Sequence, residues 1–454
     1  MFDSHFTKVE LSVLLVVGGM LALMGLVALL GRIPLAYNLR NLTVRWRTTL
    51  MTALAFTMVI GLLVFMLAFV NGMAKLTKSS GQPGNLLILA QGVTDETFSS
   101  LAFGDTNDIQ EQPGILQVGN DPMCSRETYL VVNQPTPKPV PGRPKRRFLQ
   151  VRGVEMAKMA GDVHGLKLHE GEWISGEGAQ LGPGSDPTKE ETLYEVVMGE
   201  GIARELWFDK PETDRDPARS PQRMTVRDRL KIGERDCIVV GVMRSAGSTF
   251  DSEIWVRNSV VKESFGKNSF TSMVLRTAGP AEAEKLRDYF NKDYKKASLQ
   301  ALTEAEYYAG LSETNQQFFY ASVFVAVIVA CGGMLGVMNT MFAAISQRTK
   351  DIGVLRIIGF SRWQILVSFV MESLLIALIG GLLGLALGWA CDGLTATSIV
   401  SSGAGGGKFV VLRLTVDRQI LAVGLLVSLG MGLVGGLFPA LLSAVRLKPL
   451  EALR

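Results

Sequence analysis

The chain has 454 residues, 48% of them hydrophobic, and a mean hydropathy of +0.25. This composition is too apolar for a soluble protein of this length and indicates a membrane protein. The main polar region, residues 75–313, carries 31 basic and 35 acidic side chains. This weakly acidic balance gives no support for nucleic-acid binding.

The apolar residues are concentrated in stretches that contain no charged side chain. These stretches are residues 11–30, 48–74, 314–347, 373–391 and 420–444. A helix of about 20 apolar residues crosses a bilayer, so the sequence predicts five membrane spans. The first is not expected to be a cleaved signal peptide, because its apolar run is too long, its flank "MFDSHFTKVE" is slightly acidic, and no small-x-small cleavage site follows.

Basic side chains determine the predicted orientation. Residues 31–47 hold four arginines and no acid, and the stretches 346–365 and 445–454 are also basic. Loops rich in Lys and Arg stay in the cytoplasm, which places the amino terminus outside and the carboxyl terminus inside. The sequence therefore predicts a multi-pass protein of the cytoplasmic (inner) membrane, in which residues 75–313 are extracytoplasmic and residues 392–418 form a short outer loop.

The extracytoplasmic region is predicted to be a soluble α+β domain. Short β-branched runs bounded by turn residues predict strands at "NLLILAQG", "YLVVNQP", "YEVVMG", "CIVVGVM", "EIWV" and "SMVLRT". The segment "AEAEKLRDYFNKDY" has apolar residues at helical spacing and predicts a helix. The predicted fold class is a membrane α-helical bundle of about five helices with a large extracytoplasmic α+β domain.

The sequence contains no recognisable catalytic or metal-binding pattern. The histidines are His5, His164 and His169; the last two are five residues apart, which is not the spacing of metal ligands on a helix. Both are predicted to be surface or loop residues. Cys124 and Cys237 lie in the extracytoplasmic region, where they either form a disulfide or remain free, and the sequence leaves both alternatives open.

The segment "SGAGGGKF" only superficially resembles a phosphate-binding loop. The motif G-x-x-x-x-G-K-[ST] requires Gly where Ser402 stands and a hydroxyl residue where Phe409 stands. The segment is interpreted as a flexible outer linker. The chain is therefore predicted to be a non-catalytic subunit that binds no cofactor, and ATP and Mg²⁺ are expected only in a partner.

The stretch "SQRTKDIGVLRIIGFSRWQI" lies between two apolar blocks. Gly359 suits the residue just past a helix end, and Ser361 with Gln364 forms a capping box. The preceding span is therefore predicted to continue as a helix to about residue 358, with an apolar stripe at Ile352, Leu355 and Ile358. A loop that only anchors topology needs positive charge but no such stripe, so the pattern favours a rigid surface for a cytoplasmic partner.

The segment "AISQRTKDIGVLRIIGFSRWQILVSFVMESLLIALIGGLLGLALG" resembles the hallmark of FtsX/MacB-type ABC permeases, R-T-x-[DE]-I-G-x-L-R-x-x-G followed by a glutamate and a Gly-rich span. "GGLFPALLSAVRLKPLEALR" is similar to the family's ending, and "NLRNLTVRWRTTLMTALAFTMVIG" to its amino-terminal entry. "LHEGEWIS", "VMGEGIARELW", "LKIGERDCIVVGVM" and "FDSEIWV" resemble its MacB-like periplasmic core domain. The resemblance covers residues 35–454. The extra span at residues 11–30 departs from the four-span plan, and Leu441 and Leu442 replace basic residues common in the family.

The resemblance implies a domain plan. Residues 1–33 would be an additional amino-terminal helix, 34–74 an interfacial helix and the first family span, 75–313 the core domain, and 314–454 a stalk and three spans. The chain would form a homodimer, or a heterodimer with a related permease, and bind a separate ABC ATPase. Closure of the ATPases on ATP would then push the stalk above the membrane, a mechanism called mechanotransmission.

The resemblance also assigns roles within residues 348–359, which would be the coupling helix. Arg348, Asp351 and Arg356 would make polar contacts with the ATPase, Ile352 and Leu355 would fill a groove on it, and Gly359 would end the helix.

Other features suit a lever. Leu35, Leu39, Leu42 and Trp46 share one face of a predicted amphipathic helix at the membrane surface. Residues 303–324 are predicted to form a helical stalk continuous with the next span. Small residues that allow close helix packing recur every fourth position, at Gly332 and Gly336, at Gly380, Gly384 and Gly388, and at Ser428, Gly432 and Gly436. Glu372 lies within a span, where it acts either as a structural polar lock or in coupling.

Two functions remain open. The first is a mechanically coupled permease that exports or extracts a lipid, lipoprotein, peptide or similar amphiphile, with membrane lipids and a periplasmic adaptor as further partners. The alternative is a non-transporting FtsX-like signal transducer that activates an extracytoplasmic hydrolase. An enzyme active in its outer domain is disfavoured, because that domain shows no catalytic constellation.

Overall fold

The structure, a computed structural model, describes residues 46–136, 145–183, 190–216, 220–244, 247–311, 313–347, 349–402 and 406–446, and a few isolated positions besides. The predicted first span at residues 11–30 and most of the predicted interfacial helix lie outside the described residues. The chain divides into two compact units. The helical unit comprises the described parts of residues 1–71, 318–394 and 414–454, and the core unit comprises those of residues 72–317 and 395–413.

The described helices are, in chain order, α1 (Trp46–Ser80), α2 (Phe103–Gln110), α3 (Ala157–His164), α4 (Glu200–Phe208), α5 (Asn258–Phe265), α6 (Pro280–Lys292), α7 (Glu304–Leu311), α8 (Glu313–Ser346), α9 (Thr349–Ile357), α10 (Arg362–Trp389) and α11 (Arg418–Arg446). The described strands are β1 (Asn85–Ala90), β2 (Gln117–Val118), β3 (Asp121–Pro122), β4 (Cys124–Pro135), β5 (Arg146–Val154), β6 (Leu168–Gly171), β7 (Ala179–Pro183), β8 (Glu190–Gly199), β9 (Arg229–Ile232), β10 (Arg235–Met243), β11 (Glu253–Arg257), β12 (Ser272–Arg276), β13 (Leu299–Thr303), β14 (Thr395–Ser402) and β15 (Gly406–Arg413).

Four of the described helices, α1, α8, α10 and α11, are long and apolar enough to cross a membrane. They coincide with four of the five predicted spans, which confirms those four. Their burial differs widely. Within the part of the chain that the structure describes, 72% of the most apolar stretch of α10 is buried, against 44% for α1 and α11 and 6% for α8. Helix α10 is therefore the centre of the helical unit, and the most apolar stretch of α8 is the least buried of the four.

Glycines bring α10 close to its neighbours. A methyl group at Gly380 would lie 2.5 Å from the Ala53 carbonyl oxygen of α1, and one at Gly384 would lie 2.8 Å from the Thr57 carbonyl oxygen. Gly388 meets Val64 in the same way. These glycines let the two backbones approach, as small residues do in membrane helices.

Where α11 packs on α10, glycines of α11 play the same part. A methyl group at Gly432 would lie 2.5 Å from the Ala377 side chain, and one at Gly436 would meet Ser373. Gly332 and Gly336 of α8, in contrast, have no atom of the described chain within contact distance. The same sequence spacing is therefore used for packing on two helices and left open on a third.

The core unit is built around one large mixed sheet in the order β13-β1-β12-β4-β5-β11-β8-β10-β6, with β7 paired to β8 and β9 to β10. Most neighbours are antiparallel, but β5 and β11 run parallel, as do β8 and β10. All six predicted strand runs lie in this sheet, and the predicted helix is α6. Ala283, Leu286 and Phe290 of α6 are buried, because they recur at helical spacing on the face that covers the sheet.

The loop between α10 and α11, predicted to be an outer loop, corrects the sequence interpretation. The segment taken as a flexible linker contributes to an antiparallel hairpin of β14 and β15, although residues 403–405 lie outside the described residues. The hairpin belongs to the core unit. There the Val411 N–H donates to the Ser252 hydroxyl at 2.7 Å, and Val411 packs against the backbone at Gly201. The run of glycines next to Lys408 suggested a linker, whereas the β-branched residues on either side of it indicate the two strands.

Candidate functional site

Helix α9 is a short, sharply terminated helix. Gly359 adopts a φ of +109°, which glycine alone enters without strain. Its N–H donates to the Arg356 carbonyl at 3.3 Å, and the Phe360 N–H donates to the Leu355 carbonyl at 3.1 Å. This is the hydrogen-bond pattern of a Schellman motif, and Leu355 and Phe360 both lie against the same apolar cluster. The predicted helix end at Gly359 is confirmed.

The restart of the chain after this turn is equally well defined. The Ser361 hydroxyl accepts from the Gln364 N–H at 3.2 Å, and the Gln364 side chain accepts from the Ser361 N–H at 2.7 Å. The predicted capping box is therefore confirmed. The predicted continuity with the preceding span is wrong, because α8 ends at Ser346 and a separate helix begins at Thr349.

The inner face of α9 packs on the protein itself. Ile352 is buried in a cluster with Ile345 of α8 and Ile365 and Phe369 of α10, and Leu355 packs against that cluster. Ile352 therefore does not lie on an exposed face from which it could fill a groove of another protein, contrary to the sequence interpretation. Apolar residues occupy both faces of α9, and periodicity alone does not show which face is covered.

The other face of α9 is the exposed one. Val354, Ile357 and Ile358 are 45%, 63% and 69% exposed, and together they form the α9 outer face. Trp363, the second residue of α10, is also exposed. Arg356 is half-buried, Arg348 lies outside the described residues, and the side chain of Asp351 is not among those described. The polar contacts expected of these three residues stay a prediction.

Glu372 is a buried carboxyl group in the middle of α10. The neighbouring Ser373 is also buried, and its hydroxyl donates to the Val370 carbonyl at 2.8 Å. Burial agrees with either expectation for Glu372, a polar lock or a part in coupling.

The core unit contains charged side chains in its interior, a feature that sequence analysis missed. The buried network consists of Glu96, Glu127, Arg152, His164, Glu253 and Glu304. Arg152 of β5 binds Glu253 of β11 through two hydrogen bonds of 2.6 and 2.7 Å, and it also contacts Glu127 of β4 and Glu96 at 3.1 Å. The guanidinium lies 5.0 Å from the centre of the Tyr129 ring. Arginine suits this position, because its planar fork satisfies several carboxylates at once.

His164 is a central member of this network and corrects the expectation of a surface or loop histidine. Its Nε2 lies 2.7 Å from a Glu127 oxygen, and its Nδ1 lies 3.0 Å from a Glu304 oxygen. Burial alone would lower the pKa of His164, but the two carboxylates outweigh burial and raise the pKa to about 10. Burial would raise the pKa of Glu127, and His164 and Arg152 instead lower it to about 2. The ring is therefore an imidazolium that donates from both nitrogens.

One sequence signal for His164 existed. Ala157, Ala160 and His164 are spaced along one face of α3, and Gly165, with a φ of +67°, ends that helix. A histidine on the buried face of a capped helix is an interior residue. Its partners Glu127 and Glu304 are 37 and 140 residues away, so only the structure shows what it contacts.

The structure leaves Cys124 and Cys237 as free thiols. Cys237 belongs to the apolar cluster around β8, β10 and β11, whereas Cys124 packs against the cluster around β1 and β12. Burial raises the pKa of both thiols, that of Cys237 to about 12. Within the described residues, no group of three or more His, Cys, Asp or Glu side chains is arranged to hold a metal ion.

Comparison with protein families assigns both units. Residues 323–448 match the FtsX-like permease C-terminal family, and residues 49–292 match the MacB-like periplasmic core domain family. The helical unit, with its capped α9, and the core unit together define an ABC transporter permease. The second match covers more than half of the 454 residues, so the chain belongs to the family of permeases with a MacB-like periplasmic core domain.

Individual relatives agree with this class. The chain is 30% identical over 227 residues to the uncharacterized ABC transporter permease YknZ of Bacillus subtilis (strain 168), covering 48% of this chain and 53% of the relative. It is 26% identical to the uncharacterized permease MJ1507 of Methanocaldococcus jannaschii, with coverages of 64% and 66%. It is 28% identical to the macrolide export ATP-binding/permease protein MacB of Bdellovibrio bacteriovorus, with coverages of 60% and 40%. The chain thus spans between 40% and 66% of the length of these relatives.

Two solved structures are similar in part. The extracellular domain of YknZ from Gram-positive bacteria has a TM-score of 0.31 at 14% identity, covering 48% of this chain and 99% of that one. The periplasmic region of MacB from Actinobacillus actinomycetemcomitans has a TM-score of 0.33 at 16% identity, covering 52% and 94%.

Proposed function

We propose that this permease couples a separate cytoplasmic ABC ATPase to movement of its MacB-like core domain, and that the movement exports or extracts a lipid, lipoprotein, peptide or similar amphiphile. The named relatives support the class, because an ABC permease works with an ATPase. The MacB relative carries ATP-binding and permease functions under one name and is called a macrolide exporter. For this chain the amphiphile is the proposed substrate class, and the ATPase is the proposed partner.

The observation that carries the proposal is the α9 outer face. A large apolar side chain fully exposed to water forgoes about 1.5–3 kcal/mol of transfer free energy. Val354, Ile357 and Ile358 are 45–69% exposed, so each forgoes part of this, and three of them at the end of one short helix favour a surface that another protein covers. The helix is held rigidly from behind by Ile352 and Leu355. It also lies in the stretch whose positive charge predicts a cytoplasmic location, where an ATPase is available.

The test is co-purification with the ATPase of native membranes. Replacing Val354 or Ile357 with Asp puts a charge into the proposed contact and is expected to reduce recovery of the ATPase by about tenfold or more. Val118→Asp is the matched control, because Val118 is an exposed valine of the core unit. ATPase recovery that stays unchanged for Val354→Asp and Ile357→Asp would refute the α9 outer face as the contact.

We also propose that a second copy of the chain covers the most apolar stretch of α8, of which the described residues bury only 6%. Gly332 and Gly336 would let a partner helix approach closely. Val327→Cys, the native Cys331 and Leu335→Cys are tested one at a time, with every other cysteine of the chain replaced by Ser, and each variant is oxidised in native membranes. A disulfide-linked dimer is expected for at least one of them, and Cys331→Ser without an added cysteine is the control. Absence of a dimer for all three would refute the interface.

The same purification identifies the outer partner. Recovery of a periplasmic adaptor together with the ATPase supports export, whereas recovery of a cell-wall hydrolase supports the signal-transducing alternative.

A further inference from the structure

The buried network reaches the two places where the chain passes into and out of the main part of the core unit. Helix α1 ends at Ser80 and β1 begins at Asn85, so residues 81–85, which end on the first residue of β1, are the entering segment. Strand β13 ends at Thr303 and α7 begins at Glu304, so the first turn of α7 is the leaving segment. The two segments are adjacent, because a methyl group at Gly81 would lie 3.1 Å from Ala305 Cα and 3.2 Å from the Glu304 carbonyl oxygen.

Glu304, the first residue of the leaving segment, binds the entering segment through its carboxylate. Its Oε2 accepts from the Gln82 N–H at 2.9 Å and from the Asn85 side-chain amide at 2.8 Å. Its Oε1 faces His164 Nδ1 at 3.0 Å. The carboxyl group is buried, so it is desolvated and depends on these partners.

Behind Glu304 the contacts continue to the middle of the sheet. His164 contacts both Glu304 and Glu127 of β4. Glu127 in turn contacts Arg152 of β5, and Arg152 contacts Glu253 of β11. These residues lie on adjacent strands in the order β4-β5-β11. Buried charge-assisted hydrogen bonds of this kind are strong and directional, and breaking one leaves a buried charge without its partner.

We infer that Glu304 is a positioning residue that ties the entering and leaving segments to each other and anchors both on the central strands, so that the two segments move as one body. We call Glu304 with Gln82, Asn85 and His164 the Glu304 junction. Its value for a mechanical permease rests on the proposed function, because force arriving along either segment would reach the same strands. The tie itself is a property of the core unit and is testable without an ATPase.

The junction is built to stay closed at neutral pH. The charged groups near His164 are Glu127 from β4, Glu304 from α7, and, through Glu127, Arg152 from β5 with Glu253 from β11 and Glu96. Tyr308 of α7, whose pKa burial raises well above its usual value, adds no charge. The carboxylates keep His164 protonated throughout the range in which a free histidine would lose its proton.

The experiment is hydrogen–deuterium exchange on the full-length chain in detergent micelles, comparing wild type with Glu304→Gln. A hydrogen bond to a charged group is worth enough that exchange in residues 81–85 and in residues 304–311 is expected to rise together by about tenfold to hundredfold. Helix α6 of the same unit should be unchanged. Glu284→Gln is the matched control, because Glu284 is an exposed glutamate of α6.

Reciprocity supplies the second variant. Asn85→Ala removes the Asn85 amide from Glu304, together with its contacts to the Val163 carbonyl and to Arg276, and leaves every charge of the network in place, so it is expected to loosen residues 304–311 across the junction. If Glu304→Gln unfolds the whole unit, including α6, Asn85→Ala decides. Loosening confined to the mutated segment in either variant, or no loosening, would overturn the inference. ATPase co-purification is expected to stay normal in both, so failure here is distinct from failure of the α9 contact.

Discussion

The α9 outer face and the buried network of the core unit both place side chains against the usual rule, in opposite directions. On α9, Val354, Ile357 and Ile358 are apolar and face outward. In the core unit, Arg152, Glu127 and Glu253 are charged and fully enclosed. The charged groups have every partner they need within the chain, whereas the apolar face has none among the described residues. The α9 outer face therefore favours binding of a partner, whereas the buried network is satisfied within the chain and favours a fixed shape of the core unit.

The largest expected effect is on the stability that the buried network gives to the core unit. Arg152→Ala would leave Glu253 and Glu96 buried without their counter-ion and Glu127 with His164 alone, and removing one member of a buried ion pair costs about 3–5 kcal/mol. Urea unfolding of the full chain measures the loss. Arg126→Ala is the control, because its pair with Glu155 at 2.6 Å is partly exposed and should be worth about 1 kcal/mol or less. Equal losses for the two variants would show that the network is not a special part of the unit.

The second prediction concerns pH. The pKa of His164 rises from 6.5 to about 10 on folding, so its contribution is fully present below pH 6.5 and is lost as pH rises to about 10. The loss over that window is on the order of 4 kcal/mol. The pKa of Glu127 falls from 4.5 to about 2, so its contribution is present above pH 4.5 and is lost as pH falls to about 2.

Thermal unfolding between pH 6.5 and 10 measures the His164 contribution. His164→Gln should be less stable at pH 6.5 and should lose most of the downward slope. A slope that persists unchanged in His164→Gln would assign it to other groups and contradict the prediction.

A smaller effect on stability is expected to distinguish a glycine at a packed helix contact from a glycine on an exposed helix surface. Gly384→Ala puts a methyl group 2.8 Å from the Thr57 carbonyl oxygen and is expected to cost about 1–3 kcal/mol by overpacking α10 against α1. Gly332→Ala meets no atom of the described chain, so in the detergent-solubilised monomer it should be neutral or raise stability by up to about 1 kcal/mol through helix propensity, whereas in the proposed dimer it would meet the partner helix. Thermal denaturation in detergent compares them. Destabilisation by Gly332→Ala would mean that α8 already has a close neighbour in the purified protein.

The smallest effect on folding is expected at the α9 outer face. Ile357→Ser should change stability by less than about 0.5 kcal/mol, because the side chain is exposed, and yet it should weaken ATPase co-purification. Ile352→Ala, on the inner face, should cost about 2–4 kcal/mol. If the two variants destabilise the chain equally, the assignment of inner and outer faces is wrong.

Local signals in the sequence were sufficient for much of this fold. Four spans follow from uninterrupted apolar length, six strands from β-branched runs, and the end of α9 from Gly359 and the Ser361–Gln364 box. Each of these signals lies within a few residues of the feature that it specifies. The bilayer and the helix ends impose simple rules on such short windows.

The remaining features depend on contacts between distant residues. Which face of α9 is covered depends on Ile345 and Phe369 from other helices. The place of His164 depends on Glu304, 140 residues away. The hairpin at β14 and β15 was missed for a different reason, because its pairing is local but its glycines suggested a linker. The roles expected of Arg348, Asp351 and Arg356 stay predictions.

The hairpin has a practical consequence for anyone who wishes to isolate the outer part of this permease. Residues 395–413 belong to the core unit although 77 residues of helical unit, 318–394, separate them from the rest of it in sequence. A fragment cut at residues 75 and 313 is a domain from which one of its own pieces has been removed. In such a fragment the Ser252 hydroxyl would lose the hydrogen bond that it accepts from the Val411 N–H, and Gly201 would lose its contact with the Val411 side chain. Fusing residues 395–413 behind α7 through a short Gly-Ser linker would restore the missing strands and give a whole domain in a single soluble chain.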